Sequence, residues 1–165
     1  MGNNLLELTG VSAEFQRKRI IDTINLAVPK RSRVSIIGTS GCGKSTLLKL
    51  IAGLLRTPAW QVTGQAAIEG KCFNAGDSAT LLTNCGRQYA FIAQDSLSIF
   101  DPRLKIKEHF LEISRLRDGE KEEFLLQVMS LLRNLLITDP ERVLESYRNE
   151  LSGGTLQRIS IAMGL

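Results

Sequence analysis

Aromatic side chains make up only 5% of this 165-residue chain, histidine occurs once and cysteine three times. Each scarcity closes off a class of function. The basic clusters Arg17-Lys18-Arg19 and Lys30-Arg31-Ser32-Arg33 have no aromatics interleaved with them, so the stacking platform of a single-stranded nucleic-acid binder is missing. They fall at the ends of the apolar runs 20–24 and 26–28, where solvated hairpin turns belong, and the net charge of +4 points to no nucleic-acid partner. His109 stands in a helix-like stretch with no acid or metal-ligating partner in the pattern and is assigned no role. Cys42, Cys72 and Cys85 are odd in number and lack metal-ligand spacing, which suits reduced thiols in a cytosol. No apolar run approaches the roughly 18–20 residues that span a bilayer, and the N-terminus lacks the core of a signal peptide. Leu6 occupies the position where a myristoylation motif after Gly2 needs Ser or Thr. A soluble cytoplasmic α/β domain is expected, with any membrane role arriving through a partner.

Two short strings carry the positive information. The first, Gly38-Thr39-Ser40-Gly41-Cys42-Gly43-Lys44-Ser45-Thr46, fits G-x-x-x-x-G-K-[ST]. It follows a β-branched run, residues 33–37, that reads as a buried strand, and it precedes apolar residues at helical spacing from Leu47 to Leu55. Glycines let successive backbone N–H groups turn inward on phosphate oxygens, and a helix N-terminus adds partial positive charge. Lys44 can then reach the β- and γ-phosphates, and the Ser45 hydroxyl can ligate Mg²⁺. The second string, Leu151-Ser152-Gly153-Gly154-Thr155-Leu156-Gln157-Arg158, offers a hydroxyl, free N–H groups and a helix start to another anion.

The rest of the chain arranges itself around these strings, without repeats or low-complexity segments. Residues 5–15 and 20–28 alternate apolar and polar side chains and read as antiparallel strands, and 62–68 as a further strand followed by a loop rich in Gly, Asn and Asp. Residues 89–95 read as a strand that stops at Gln94. From 106 to about 147 the period becomes helical, with Phe124, Val128, Leu131 and Leu135 at three- and four-residue spacing. Asp139-Pro140-Glu141 has the residues of a helix start: a cap, a proline in the first turn and an acid beside it.

The motif Leu151-Ser152-Gly153-Gly154 followed by Gln157-Arg158 resembles the signature of the ATP-binding cassette (ABC) transporter ATPases, with Thr155 where that family usually has glutamine. The resemblance implies an α/β P-loop NTPase core with an N-terminal antiparallel β-subdomain and a helical subdomain, incomplete at the C-terminus. It divides the chain into about 1–95 for the β-subdomain and core, 96–150 for the helical subdomain and 151–165 for the signature and its helix. Its implied cofactors are ATP and Mg²⁺, held by residues 38–46. Phe15 would stack on adenine, Ser45 would ligate the metal, and Gln94 would approach metal and attacking water. Ser152, Gly153 and Gly154 would close over the nucleotide of a second ABC ATPase subunit. Residues 95–102 would meet integral membrane permease subunits at the cytoplasmic face of the cell membrane, served indirectly by an extracellular or periplasmic substrate-binding protein. The phrases Ile92-Ala93-Gln94-Asp95 and Phe100-Asp101-Pro102 look like the peptide and nickel importer branch.

The family places a Walker B aspartate and a catalytic glutamate on a strand soon after the signature helix, and no such Asp-Glu strand occurs before Leu165. Weak nucleotide binding without turnover, and an unpaired apolar edge at Val34, Ile36 and Ile37 that invites aggregation, are the expectations for these 165 residues. A non-catalytic remnant, or an ABC protein of translation or DNA repair, are the competing readings.

Overall fold

The structure is a computed structural model that describes residues 3–85, 88–95, 97–114 and 121–165. By its internal contacts the chain forms two units, Met1–Phe91 and Ile92–Leu165.

The first unit is built on a four-stranded antiparallel sheet, order β2-β1-β3-β4, from β1 (Asn4–Phe15), β2 (Lys18–Pro29), β3 (Trp60–Ile68) and β4 (Lys71–Asn74). Along β1 the buried residues are Leu6, Leu8, Val11 and Ala13. The period of two slips once, between Leu8 and Val11, where the ladder to β2 also shifts register. Gly10 takes the left-handed φ of +58° at this bulge, and its N–H donates to Oδ1 of Asn25 at 2.8 Å. Across the ladder, a Cβ on Gly64 would stand 2.6 Å from the Gly10 carbonyl oxygen, so the two backbones approach closely only because Gly64 has no side chain. Gln16 and Arg17, both at positive φ, form the β1–β2 turn expected of that basic cluster.

Helix α1 (Lys44–Ile51) lays Leu47 and Leu50 on the core made by Leu6, Leu8, Val11, Ala13, Ile21 and Ile68. The short α2 (Ser78–Asn84) adds Leu81. Its cap is Asp77, whose carboxylate accepts from the Thr80 N–H at 3.0 Å and the Thr80 hydroxyl at 2.5 Å. Those two bonds, the hydroxyl's first, hold the Asp77 carboxyl below its usual range.

Two strands read from the sequence do not form. Residues 32–39 run without a ladder, and Val34, Ile36 and Ile37 are exposed, Ile37 by 92%. Residues 89–95 make only one bridge, Tyr89 to Cys85. A strand exists by pairing, and among the described residues no neighbouring strand reaches either segment, so their β-propensity is left without a partner. Tyr89 nevertheless anchors its segment: its hydroxyl lies 2.7 Å from the Ile51 carbonyl and 2.9 Å from that of Leu81. Burial pushes its pKa up to about 12.

The second unit is helical: α3 (Ile106–Ser114), α4 (Lys121–Asn134), α5 (Pro140–Glu145) and α6 (Gly153–Gly164). Phe100, Ile106, Phe110, Val128, Leu132, Leu156 and Ile159 form part of its core, the helical spacing of Ile106 with Phe110, Val128 with Leu132 and Leu156 with Ile159 placing both members of each pair on one face. Asp139 caps α5 as its sequence suggested, accepting from the Arg142 N–H at 3.0 Å, with Pro140 in the first turn. Arg158 of α6 donates to the carbonyl of Leu136, a residue at φ +61° just past α4.

The α3 and α5 ends are tied by Glu145, which accepts from Nζ of Lys105 at 2.8 Å and of Lys107 at 2.5 Å. These bonds, Lys105 first, pull its pKa from 4.5 down to about 2. Since the folded value lies below the unfolded one, what the ties contribute is complete above pH 4.5 and is lost as pH falls toward 2. Amide exchange at 105–108 is expected to be slower in the wild type than in Glu145→Gln above pH 4.5, the difference disappearing near pH 2. Equal exchange in the two proteins at neutral pH would show that the ties hold nothing.

Candidate functional site

The first unit assembles the phosphate-loop candidates into one place. Gly43 is the residue before α1, left-handed at φ +96°, and a Cβ there would lie 2.9 Å from the Ile20 carbonyl oxygen of β2. Any side chain at position 43 would therefore push the loop off the sheet. Gly41 is also left-handed, at φ +80°. The N–H groups of Lys44, Ser45 and Thr46, at the first turn of α1, have no intrahelical carbonyl to donate to, and no side chain caps the helix start.

Lys44 folds back into this turn. Its ammonium donates to the carbonyl of Gly38 at 2.9 Å and that of Thr39 at 2.7 Å, and it lies 3.6 Å from Sγ of Cys42. Beneath the loop, a cavity of about 220 Å³ is lined by Ile20, Ile21, Asp22, Ile37, Cys42 and Lys44 among others. Ser40 and Ser45 are exposed, and Thr46 is half-buried on the first turn.

Phe15 closes the β1–β2 hairpin at the end where Ile20 meets Gly43, since Phe15 pairs with Lys18. Its ring packs against Trp60, centroids 4.9 Å apart and planes at 44°. Trp60 was not singled out from the sequence; it lies opposite Phe15 only through the β1–β3 register, a pairing with no local signature.

Gln94 and the signature belong to the second unit. Gln94 is exposed at a bend. Ser152 is the N-cap of α6, its Oγ accepting from the Thr155 N–H at 3.2 Å and lying 2.9 Å from the Thr155 hydroxyl. Gly153 and Gly154 are exposed, with open space where a Cβ would stand. Thr155, the departure from the family pattern, thus serves as the hydrogen-bond partner of the signature serine. Among the described residues no group of three or more His, Cys, Asp or Glu gathers as a metal site.

A glycine turn feeding an uncapped helix in the first unit, and a serine-capped glycine start of α6 in the second, are the two motifs of a nucleotide-binding cassette. The chain belongs to the ABC transporter ATP-binding family, whose model matches residues 21–165. It is similar to the oligopeptide transport ATP-binding protein OppD of Lactococcus lactis subsp. cremoris, with 31% identity over 98% of this chain and 49% of the relative. It also resembles the nickel import ATP-binding protein NikE of Escherichia coli O6:K15:H31, with 31% identity over 94% of this chain and 56% of the relative. The chain spans about half the length of these curated relatives. Among solved structures it superposes on the dimeric structure of MJ0796, a bacterial ABC transporter cassette, with a TM-score of 0.79, 26% identity and coverage of 97% of this chain and 68% of that one. The fold is that of the ABC cassette, of which the chain covers part.

Cys42 reports on the loop directly, because it is exposed and inside the turn, while Cys72 is exposed on β4. Millimolar ATP is expected to slow alkylation of Cys42 by N-ethylmaleimide at least about tenfold and to leave Cys72 unaffected, as mass spectrometry of the labelled peptides would read. Equal protection of both thiols, or of neither, would count against a nucleotide at this loop.

Proposed function

We propose that this chain is the ATP-binding part of the energy-coupling subunit of an ABC importer for peptides or for nickel and other metal complexes. The observation that carries the reading is the Lys44 ammonium, held over the glycine turn by two loop carbonyls at the foot of an uncapped helix. A triphosphate fits this cradle by exchange: its oxygens take the Lys44 proton donors from the two carbonyls and the free N–H groups of the turn and first helical residues. The left-handed glycines keep that surface clear of Cβ atoms. Gly38, Thr39, Ser40, Gly41, Cys42 and Gly43 would wrap the β-phosphate, and Ser45 and Thr46 would stand at the helix start beside it. Phe15, braced by Trp60, would offer a ring face to adenine.

By the family resemblance, Ser45 Oγ would hold Mg²⁺ at the helix start, and Gln94 would contribute a further oxygen. When bound, the metal offsets charge on the β- and γ-phosphate oxygens. Gln94 would also orient the attacking water through its amide. Ser152, Gly153 and Gly154, at the exposed start of α6, would meet the γ-phosphate of a nucleotide held by a second ABC ATPase subunit. The dimeric form of MJ0796, and its form bound to ADP and phosphate, support this reading by similarity.

The relatives that act in oligopeptide, nickel and metal-staphylopine import favour the importer branch. In that role the chain would sit at the cytoplasmic face of the membrane, docked on permease subunits and served indirectly by an extracellular or periplasmic substrate-binding protein. No helix among the described residues is long and apolar enough to cross a membrane.

Equilibrium binding of labelled ATP to the purified chain tests the reading. Lys44→Ala is expected to weaken binding at least tenfold, about 1.4 kcal/mol. Equal retention of ATP by wild type and variant, or none by either at millimolar ligand, would overturn it.

A further inference from the structure

Two buried polar atoms of the described residues lack hydrogen-bond partners, Nε2 of His109 and Nε of Arg148. Both side chains touch Phe100. The His109 imidazole stands edge-on to the Phe100 ring with centroids 5.3 Å apart. Nη1 of Arg148 donates to the Phe100 carbonyl at 2.7 Å and to the Leu97 carbonyl at 2.8 Å. A half-buried guanidinium whose buried Nε–H finds no partner is an uncommon choice, because the unpaired donor opposes folding. The fork on two carbonyls is what the position retains.

The backbone of Arg148 belongs to a different piece of machinery. It opens the 3-10 turn Arg148–Glu150, which is closed on itself by the Tyr147 N–H donating to the Glu150 carboxylate at 2.7 Å and by the Glu150 N–H donating to the Tyr147 carbonyl at 3.0 Å. The Arg148 carbonyl accepts from the Leu151 N–H at 3.3 Å, and the next residue is Ser152, the cap of α6. One side chain thus joins the turn that follows Gln94 to the turn that ends at the signature serine, across about fifty residues of sequence. Apolar packing of Phe100 in the shared core also connects the two, but it is non-directional and lets surfaces slide. Two hydrogen bonds from one planar guanidinium fix both distance and orientation.

We propose that Arg148 is a positioning residue that fastens the Leu97–Phe100 turn to the signature turn, so that displacement of the first is delivered to the Ser152 cap. The physical link stands on the contacts above, and its use rests on the reading under Proposed function. There, residues 95–102 meet the membrane partner and Ser152 meets nucleotide, so Arg148 carries occupancy of one to the geometry of the other. Lysine at this position would keep the charge but not the fixed planar direction of the two N–H bonds, because its donors rotate on a flexible stem.

Amide hydrogen exchange by mass spectrometry on the full chain tests the link, with 124–134 of α4 as the internal reference. Arg148→Met is expected to raise exchange at least about tenfold at both 97–100 and 151–156, with Arg148→Lys in between and the reference unchanged. The decisive arm uses Asp95→Ala, an exposed change that removes the carboxylate accepting from the Leu97 N–H at 3.1 Å. It should loosen 97–100 in either background, but raise exchange at 151–156 only where Arg148 is intact. A merely structural role for Arg148 would make the two substitutions additive at 151–156, and that result, or unchanged exchange there in R148M, overturns the proposal. If R148M also raises exchange in the reference helix, the same cycle is read with R148K, and additivity overturns the proposal there too. ATP retention measured on the same samples separates the two readings: loss of ATP binding in the wild type removes the transporter role and leaves the exchange result to stand or fall alone.

Discussion

A helix start that has been denied a cap is the constraint on which the account rests. Most helices satisfy their first N–H groups with a side-chain oxygen, as Asp77, Asp139 and Ser152 do for α2, α5 and α6. Helix α1 does not: Gly43 precedes it, no acid lies in its first turn, and its own Lys44 is turned onto loop carbonyls. The donors that an ordinary sequence would neutralise are left facing outward, with a lysine beside them, and an anion with several oxygens is the complement of that surface. The close contact of Gly43 with the Ile20 carbonyl ties this arrangement to the hairpin that carries Phe15, so the glycine turn and the Phe15 ring share one end of the sheet.

The signature serine offers a contrast. Ser152 caps its own helix through the Thr155 N–H, yet the two glycines after it leave the surface open. Such a start has one N–H already taken by its serine cap, so it offers fewer free donors to an anion than the start of α1 does. Arg148 and the Glu150 turn place that cap, and Arg158 fixes the far side of α6 to the end of α4.

How much could be read from residues alone follows from the range of each interaction. The β1–β2 hairpin, β3, the amphipathic helices and the Asp139-Pro140 start are written in local periodicity and capping chemistry, and all are found in the structure. The family was legible in the order of the glycine turn and the Leu151-Ser152-Gly153-Gly154 motif. Residues 33–37 and 89–95 carry strand-forming side chains but lack described partners, so propensity misleads there. The four-residue β4 and the seven-residue α2 are too short for a period to emerge, although Asp77 three residues before Thr80 was a usable signal. Trp60 behind Phe15 and Arg148 on Phe100 are long-range pairings, and no window of neighbouring residues announces them.

The most direct measurement is the amide spectrum of the isotopically labelled chain as a non-hydrolysable ATP analogue is added. The account predicts large, saturable shifts at Gly41, Gly43, Lys44 and Ser45, with the β3 amides 60–68 unmoved apart from Trp60 behind the Phe15 ring. Shifts scattered over the sheet with none at the start of α1, or a Gly43→Ala variant that responds as the wild type does, would contradict it.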